Sequence, residues 1–101
     1  MKIVRNDEFL ETIKEGNTLV DFYADWCGPC KMLGPVLEEL SEENTDVKFI
    51  KVNVDDENEL AHKYGIMSIP AVFFFKDGEV VSSSVGFRGK EDMQQFINEN
   101  K

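Results

Sequence analysis

The chain contains few of the residues that would build a metal centre or a nucleic-acid interface. Its 101 residues include two cysteines and one histidine, His62, so a structural zinc site would need carboxylates or a second chain. Only 11 basic residues stand against 20 acidic ones, and a net charge of −9 repels phosphate backbones. We therefore expect no metal, no nucleic-acid partner and a solvent-exposed His62.

Long apolar runs are also absent. No stretch approaches the roughly 20 apolar residues of a membrane helix, and residues 1–7 lack the apolar core of a secretory signal. Three prolines, no repeat and no low-complexity segment leave no candidate linker or disordered region. We expect one domain over residues 1–101, soluble, cytosolic and monomeric, without a membrane association.

The hydrophobic pattern predicts nine elements in the order βαβαβαββα. Early crossovers imply parallel strands, whereas Asp77-Gly78 predicts a tight hairpin between the last two strands, so an α/β fold with a mixed sheet follows. In the first helix Asn6 is the expected cap, with Phe9, Leu10 and Ile13 on the buried face. The predicted strands are 2–4, 18–24, 47–54, 71–75 and 79–85, and the predicted helices are 6–16, 30–43, 57–64 and 90–98.

The two cysteines stand three positions apart, in Trp26-Cys27-Gly28-Pro29-Cys30, between a strand-like run and a helix-like run. A bridge closing about four residues would stabilise the fold by roughly 2 kcal/mol, near the low end for disulfides. A thiol pair held this close can instead pass two electrons and reclose quickly. The spacing favours redox chemistry over a structural bridge.

The predicted position at a helix N-terminus assigns different roles to the two thiols. Cys27 lies just before the helix, where unpaired amides and the helix dipole stabilise a thiolate, so it is the candidate nucleophile. Cys30 lies in the first turn and is expected to be more buried and less ionised, as suits a resolving thiol. Gly28 lets a partner approach the backbone, and Pro29 suits the first helical turn.

Asp21 interrupts an apolar strand that is predicted to be central in the sheet. Burial raises the pKa of a carboxylate, so Asp21 is a candidate general base for Cys30 near neutral pH. The alternative is a buried Asp that is satisfied by backbone groups or by Lys51 on the neighbouring strand. The strand pattern leaves both interpretations open.

Residues that match one protein family run along almost the whole chain, namely Val20-Asp21-Phe22, Ala24, Trp26 to Lys31, Pro35, Lys51 to Asp55, Ile69-Pro70, Phe75-Lys76, Gly78 and Gly86. By these residues the chain resembles the thioredoxin family. The resemblance implies a three-layer α/β/α sandwich in which Cys27 attacks a protein disulfide, Cys30 resolves it and Asp21 assists proton transfer at Cys30 through water. It also implies a cis Pro70 facing the cysteines, and an apolar docking rim. The rim implied by the family is Trp26, Gly28, Pro29, Ile69, Pro70, Val85, Gly86 and Phe87.

Some residues depart from the commonest family pattern. Tyr23 and Ala71 stand where tryptophan and threonine are frequent, and Met67-Ser68 and Phe87 lie on the expected rim. The chemistry implied by the family is therefore better defined than the choice of substrates. Its implied partners are a thioredoxin reductase and disulfide-containing proteins, and no bound cofactor is expected.

Three other functions compete with a disulfide reductase. A metal-binding module could use the Cys27 and Cys30 pair, and an interaction module could hold partners on the rim whatever its redox state. An oxidant of the same fold is the third alternative. Gly28-Pro29 resembles the reductant branch, because oxidising relatives usually carry a histidine there, which stabilises the thiolate and makes the disulfide easier to reduce.

Overall fold

Five strands form one sheet, and the computed structural model describes all residues from 1 to 101. The element order is βαβαβαββα, as the hydrophobic pattern predicts. The strands are β1 (Lys2–Ile3), β2 (Asn17–Tyr23), β3 (Val47–Asn53), β4 (Ala71–Lys76) and β5 (Glu79–Val85). The helices are α1 (Asn6–Ile13), α2 (Gly28–Glu43), α3 (Asn58–Lys63) and α4 (Lys90–Asn100). No helix is both long and apolar enough to span a bilayer.

The strand order is β1-β3-β2-β4-β5, which places β2 at the centre as predicted. β2 pairs parallel with β3 and antiparallel with β4, so the sheet is mixed. In the parallel register Asp21 lies opposite Lys51. Because side chains alternate along a strand, Leu19, Asp21 and Tyr23 share one face of β2.

Helices cover both faces of the sheet and confirm the α/β/α sandwich. α2 and α4 pack on the face that carries Leu19, and α1 and α3 pack on the face that carries Val20. This arrangement explains why every residue of β2 after Asn17 is buried. The first cluster includes Leu33, Leu37, Leu40, Phe74, Met93, Phe96 and Ile97, and the second includes Phe9, Ile13, Phe22, Leu60 and Phe75.

The β4–β5 hairpin forms at Asp77-Gly78, as predicted. Both residues have positive φ, 50° and 88°, which matches the backbone of a two-residue hairpin turn. The turn is tied to the loop before β2, because the Gly16 N–H donates to Asp77 Oδ1 at 2.8 Å and the Asp77 N–H donates to the Gly16 carbonyl at 2.9 Å. The hairpin therefore holds β4 in register beside β2.

Two predictions for α1 are wrong. The helix begins at Asn6 and its cap is Arg5, because Glu8 accepts a hydrogen bond from the Arg5 N–H and fixes the turn one residue earlier. Leu10 is 62% exposed, whereas Phe9 and Ile13 are buried. The helix is only eight residues long, and the stripe that it presents to the sheet is too narrow to include Leu10.

Candidate functional site

The cysteine pair lies at the N-terminus of α2, where the chain leaves the carboxyl end of the central strand β2. Cys27 is the N-cap residue and forms a disulfide with Cys30, with the two Cα atoms 5.2 Å apart. The backbone N–H of Cys30 donates to Cys27 Sγ at 3.2 Å. The sulfur of Cys27 thus accepts one of the free amides of the first turn, which is where a thiolate gains most from the helix.

The two cysteines are buried to the same degree, 4% and 5% exposed, so the expectation that Cys30 is the more buried residue is wrong. The loop before β4 covers Cys27 from the other side, since the Ile69 carbonyl oxygen lies 3.8 Å from Cys27 Sγ. A partner can approach Cys27 beside Gly28 and Pro29, which are both exposed. The difference between the thiols lies in position along the helix and not in overall burial.

The Ile69–Pro70 peptide bond is cis, and Pro70 is buried. Ile69 packs against the small cluster that contains Cys27, Cys30, Tyr23 and Ala24. The Gly86 N–H donates to the Pro70 carbonyl at 2.8 Å, and this hydrogen bond brings the end of β5 to the same edge. The fold therefore assembles the predicted rim from three separate segments.

Asp21 is 2% exposed, and its Oδ1 is buried without a hydrogen-bond partner. Burial raises the pKa of Asp21 to about 7, and the positive charge of Lys51 opposes part of this rise. The alternative that backbone groups or Lys51 satisfy the carboxylate is therefore wrong for Oδ1. The carboxyl therefore keeps its proton to a higher pH than an exposed aspartate does.

Asp21 and Cys30 line one cavity of about 610 Å³, which also contains Lys51 and Tyr23 in its wall. Asp21 reaches it because it lies on the face of β2 that packs against α2, and Cys30 lies in the first turn of that helix. The Asp21 carboxyl and Cys30 therefore share one cavity.

Lys51 forms no ion pair with Asp21 and influences the carboxylate only through its positive charge. No nitrogen of Lys51 lies within 4.0 Å of a carboxylate oxygen, so the predicted pairing with Asp21 is not a salt bridge. The Lys51 Nζ instead lies 4.4 Å from the centroid of the Tyr23 ring. Sequence reasoning missed this contact, although Tyr23 stands out as a departure from the common family pattern.

The rim around Cys27 is apolar and largely accessible. Trp26 is 70% exposed, Val85 63% and Phe87 42%, while Ile69 and Gly86 are half-buried. The Trp26 Nε1–H donates to Asp55 Oδ2 at 2.8 Å, a contact that the sequence analysis did not predict. The sequence does contain a signal for this contact, because Asp55 follows β3 at the edge of the sheet where the parallel strands end together.

His62 is exposed on α3, as predicted. No group of three or more His, Cys, Asp or Glu side chains is arranged to hold a metal ion. The Cys27 and Cys30 pair therefore lacks the further ligands that a closed zinc site requires.

A mixed sheet between helices, with a cysteine pair capping the helix after its central strand, defines a class of small thiol-disulfide oxidoreductases. Residues 1–99 match the sequence model of the thioredoxin family, and the chain belongs to that family. Its dithiol, Cys27 and Cys30, makes it an enzyme of thiol-disulfide exchange.

Similarity to individual proteins extends over the full chain. A thioredoxin of Bacillus subtilis is 50% identical over an alignment of 103 positions that covers 99% of this chain and 99% of its own. A thioredoxin of Mycoplasmoides gallisepticum is 45% identical, with 90% of this chain and 89% of its own covered. A solved structure titled as Plasmodium falciparum thioredoxin superposes with a TM-score of 0.94 at 37% identity and covers 100% of both chains.

Proposed function

We propose that this protein reduces disulfides of other proteins, with Cys27 as the attacking thiol and Cys30 as the resolving thiol. The observation that carries the assignment is the hydrogen bond of 3.2 Å from the Cys30 N–H to Cys27 Sγ at the helix N-terminus. This amide and the helix dipole stabilise negative charge on Cys27, whereas Cys30 faces the cavity that it shares with Asp21.

The proposed reaction has two exchanges. The Cys27 thiolate attacks one sulfur of the substrate disulfide, a mixed disulfide forms, and the other substrate sulfur leaves as a thiolate that takes a proton. Cys30 then attacks Cys27 Sγ, which forms the Cys27–Cys30 disulfide and releases the second substrate thiol. The substrate gains two electrons and two protons, and the protein is oxidised by the same amount.

Asp21 is proposed as the base for the second exchange. Cys30 must lose its proton before it attacks, and the carboxylate of Asp21 opens into the same cavity. Its pKa of about 7 allows the group to accept a proton near neutral pH and to return it when the disulfide is reduced again. Water that enters the cavity would connect the carboxylate to the thiol.

The rim is proposed as the docking surface for substrates. Trp26, Val85 and Phe87 supply exposed apolar area on both sides of Cys27, and Gly28 and Pro29 leave the backbone accessible between them. The Ile69 carbonyl oxygen, 3.8 Å from Cys27 Sγ, borders this surface on the side opposite α2. A thioredoxin reductase would restore the dithiol through the same surface, and the proposed location is the cytosol.

Single-cysteine variants test the two thiol roles. Reduced Cys30→Ser is expected to form a stable mixed disulfide with a model disulfide protein, because no second thiol releases the product. Reduced Cys27→Ser serves as the matched control and is expected to form little or none. Intact-mass measurement after an acid quench reads both outcomes. A mixed disulfide that forms faster through Cys30 than through Cys27 would reverse the assignment.

A further inference from the structure

We propose that Tyr23 is a positioning residue, whose ring holds the Lys51 ammonium beside the Asp21 carboxylate without letting the two groups pair. The inference rests on the proposed role of Asp21 as the base for Cys30. A pair would fix the carboxylate in its charged form, whereas an ammonium held at a distance leaves it free to take and return a proton.

Three observations place these side chains in this relation. Asp21 and Lys51 lie opposite each other in the parallel register of β2 and β3, so a direct ion pair is the simplest expectation. The pair does not form, and Asp21 Oδ1 is buried without a partner. The Lys51 Nζ lies instead 4.4 Å from the centroid of the Tyr23 ring, within the range of a cation–π interaction.

The geometry of β2 explains why Tyr23 can do this. Tyr23 follows Asp21 by two positions, so both side chains lie on the face of the strand that lines the cavity. Tyr23 is only 9% exposed, and its ring is therefore fixed by packing and presents one face to Lys51. The Lys51 ammonium lies over this ring and forms no ion pair with the carboxylate.

This arrangement acts on the pKa of the Asp21 carboxyl. A carboxylate in contact with an ammonium has its pKa lowered, typically by 1 to 3 units, while burial alone raises it. Asp21 has a pKa of about 7, with burial as the larger cause and Lys51 as the smaller, opposing one. The charge of Lys51 thus offsets the effect of burial only in part.

Other charges face the same cavity and must be considered. Asp25, Lys31 and Glu38 line its wall, and the amino group of Met1 forms an ion pair with Glu38. Asp25 is exposed, and Glu38 has its charge balanced by the amino group. Lys51 is thus the charged residue that both lies opposite Asp21 in the sheet and lowers the pKa of its carboxyl.

The experiment replaces the ring and measures the pKa of Asp21 directly. In Tyr23→Leu, Lys51 loses its anchor and is expected to pair with Asp21, so the carboxyl NMR titration of the oxidised protein should shift to lower pH by about 0.5 to 1 unit. Tyr23→Phe keeps the ring and is the matched control, for which the titration should stay where it is in the unaltered protein.

A second background separates positioning from a merely structural effect. If Tyr23 acts through Lys51, Tyr23→Leu should leave the Asp21 titration unchanged when Lys51→Met is already present. An equal downward shift in both backgrounds would mean that the ring only excludes water, and it would overturn the proposal. No shift, or an upward shift, with Lys51 present would also overturn it.

Failure of this proposal is distinct from failure of the proposed function. The titration concerns Asp21 alone and does not depend on turnover. A loss of the base role would appear instead as an Asp21→Asn variant that releases product at the unaltered rate.

Discussion

At the scale of single residues, the structure keeps one carboxylate in an environment that opposes its charge. Asp21 Oδ1 has no partner, although nearly all buried polar atoms in proteins do. Such an exception costs stability when the group is ionised, and it is consistent with a functional demand at that position. The cost should be measurable as a dependence of stability on pH.

The direction of that dependence follows from the two pKa values of Asp21. Burial raises the pKa of this carboxyl from its ordinary value of 3.8, which holds for the unfolded chain, to about 7 in the folded protein. Between these values the folded state holds the additional proton, so the free energy of unfolding falls as pH rises through this range and levels off above it. The full effect is on the order of 4 kcal/mol.

Asp21→Asn should therefore be more stable than the unaltered protein at pH 8, by up to a few kcal/mol, because no charge is buried. At pH 4 the two proteins should differ little. Urea unfolding of the oxidised proteins at both pH values checks this expectation. Equal stability at pH 8, or a larger gain at pH 4, would contradict the described burial of the charge.

The amino-acid sequence alone predicts part of this site. Asp21 was recognisable because a charge within an apolar strand is rare, and the cysteine pair was recognisable from its spacing. The contact between Lys51 and Tyr23 could not be recognised from the sequence, because the direction of a long flexible side chain depends on packing across two strands. The equal burial of Cys27 and Cys30 was missed for a similar reason, since Ile69 comes from a distant loop.

At the scale of elements, turns and helix termini fix the geometry of the site. The hydrophobic pattern predicted all nine elements, because alternation and helical spacing are local signals. The first and last residues of these elements were predicted less accurately. Helix α2 begins at Gly28 rather than Cys30, since the Cys27 sulfur and the Pro29 ring both favour an earlier start.

The β4–β5 turn gives a prediction for element stability. Gly78 has φ of +88°, and a Cβ added there would meet Lys14 backbone atoms no closer than 3.8 Å. Gly78→Ala should thus cost about 1 to 2 kcal/mol of unfolding free energy from backbone strain alone, without a clash. Thermal or urea unfolding measures the loss.

Gly34→Ala is the matched control for the turn variant. Gly34 lies inside α2, has no positive φ, and a Cβ there would meet nothing within 4 Å. Alanine should stabilise this position by about 0.5 to 1 kcal/mol, because it loses less backbone entropy in a helix. If both variants changed stability in the same direction, the positive φ at the turn would not be the cause.

At the scale of the whole molecule, we expect net charge to govern which substrate disulfides react quickly. The chain carries a net charge of −9, and two exposed carboxylates lie beside Trp26, since Asp25 precedes it in sequence and Asp55 accepts its indole N–H. A field of this sign attracts cationic substrates and repels anionic ones during encounter. Salt weakens this effect by shortening the range of the field.

The second-order rate constant for reduction of a cationic peptide disulfide should fall about threefold or more between 10 mM and 300 mM salt. A neutral peptide with the same disulfide ring should change little. Stopped-flow fluorescence of Trp26 measures both rates. An equal salt dependence for the two peptides would show that the net charge does not steer substrates.

The reduction potential of the Cys27 and Cys30 pair tests the central claim most directly. The protein is equilibrated with dithiol buffers of known ratio, and Trp26 fluorescence reports the oxidised fraction. A protein-disulfide reductase should have a potential more reducing than the cytosolic glutathione poise of about −220 to −260 mV. A potential well above that range would identify an oxidant or isomerase, and the absence of a reversible transition would contradict redox function altogether.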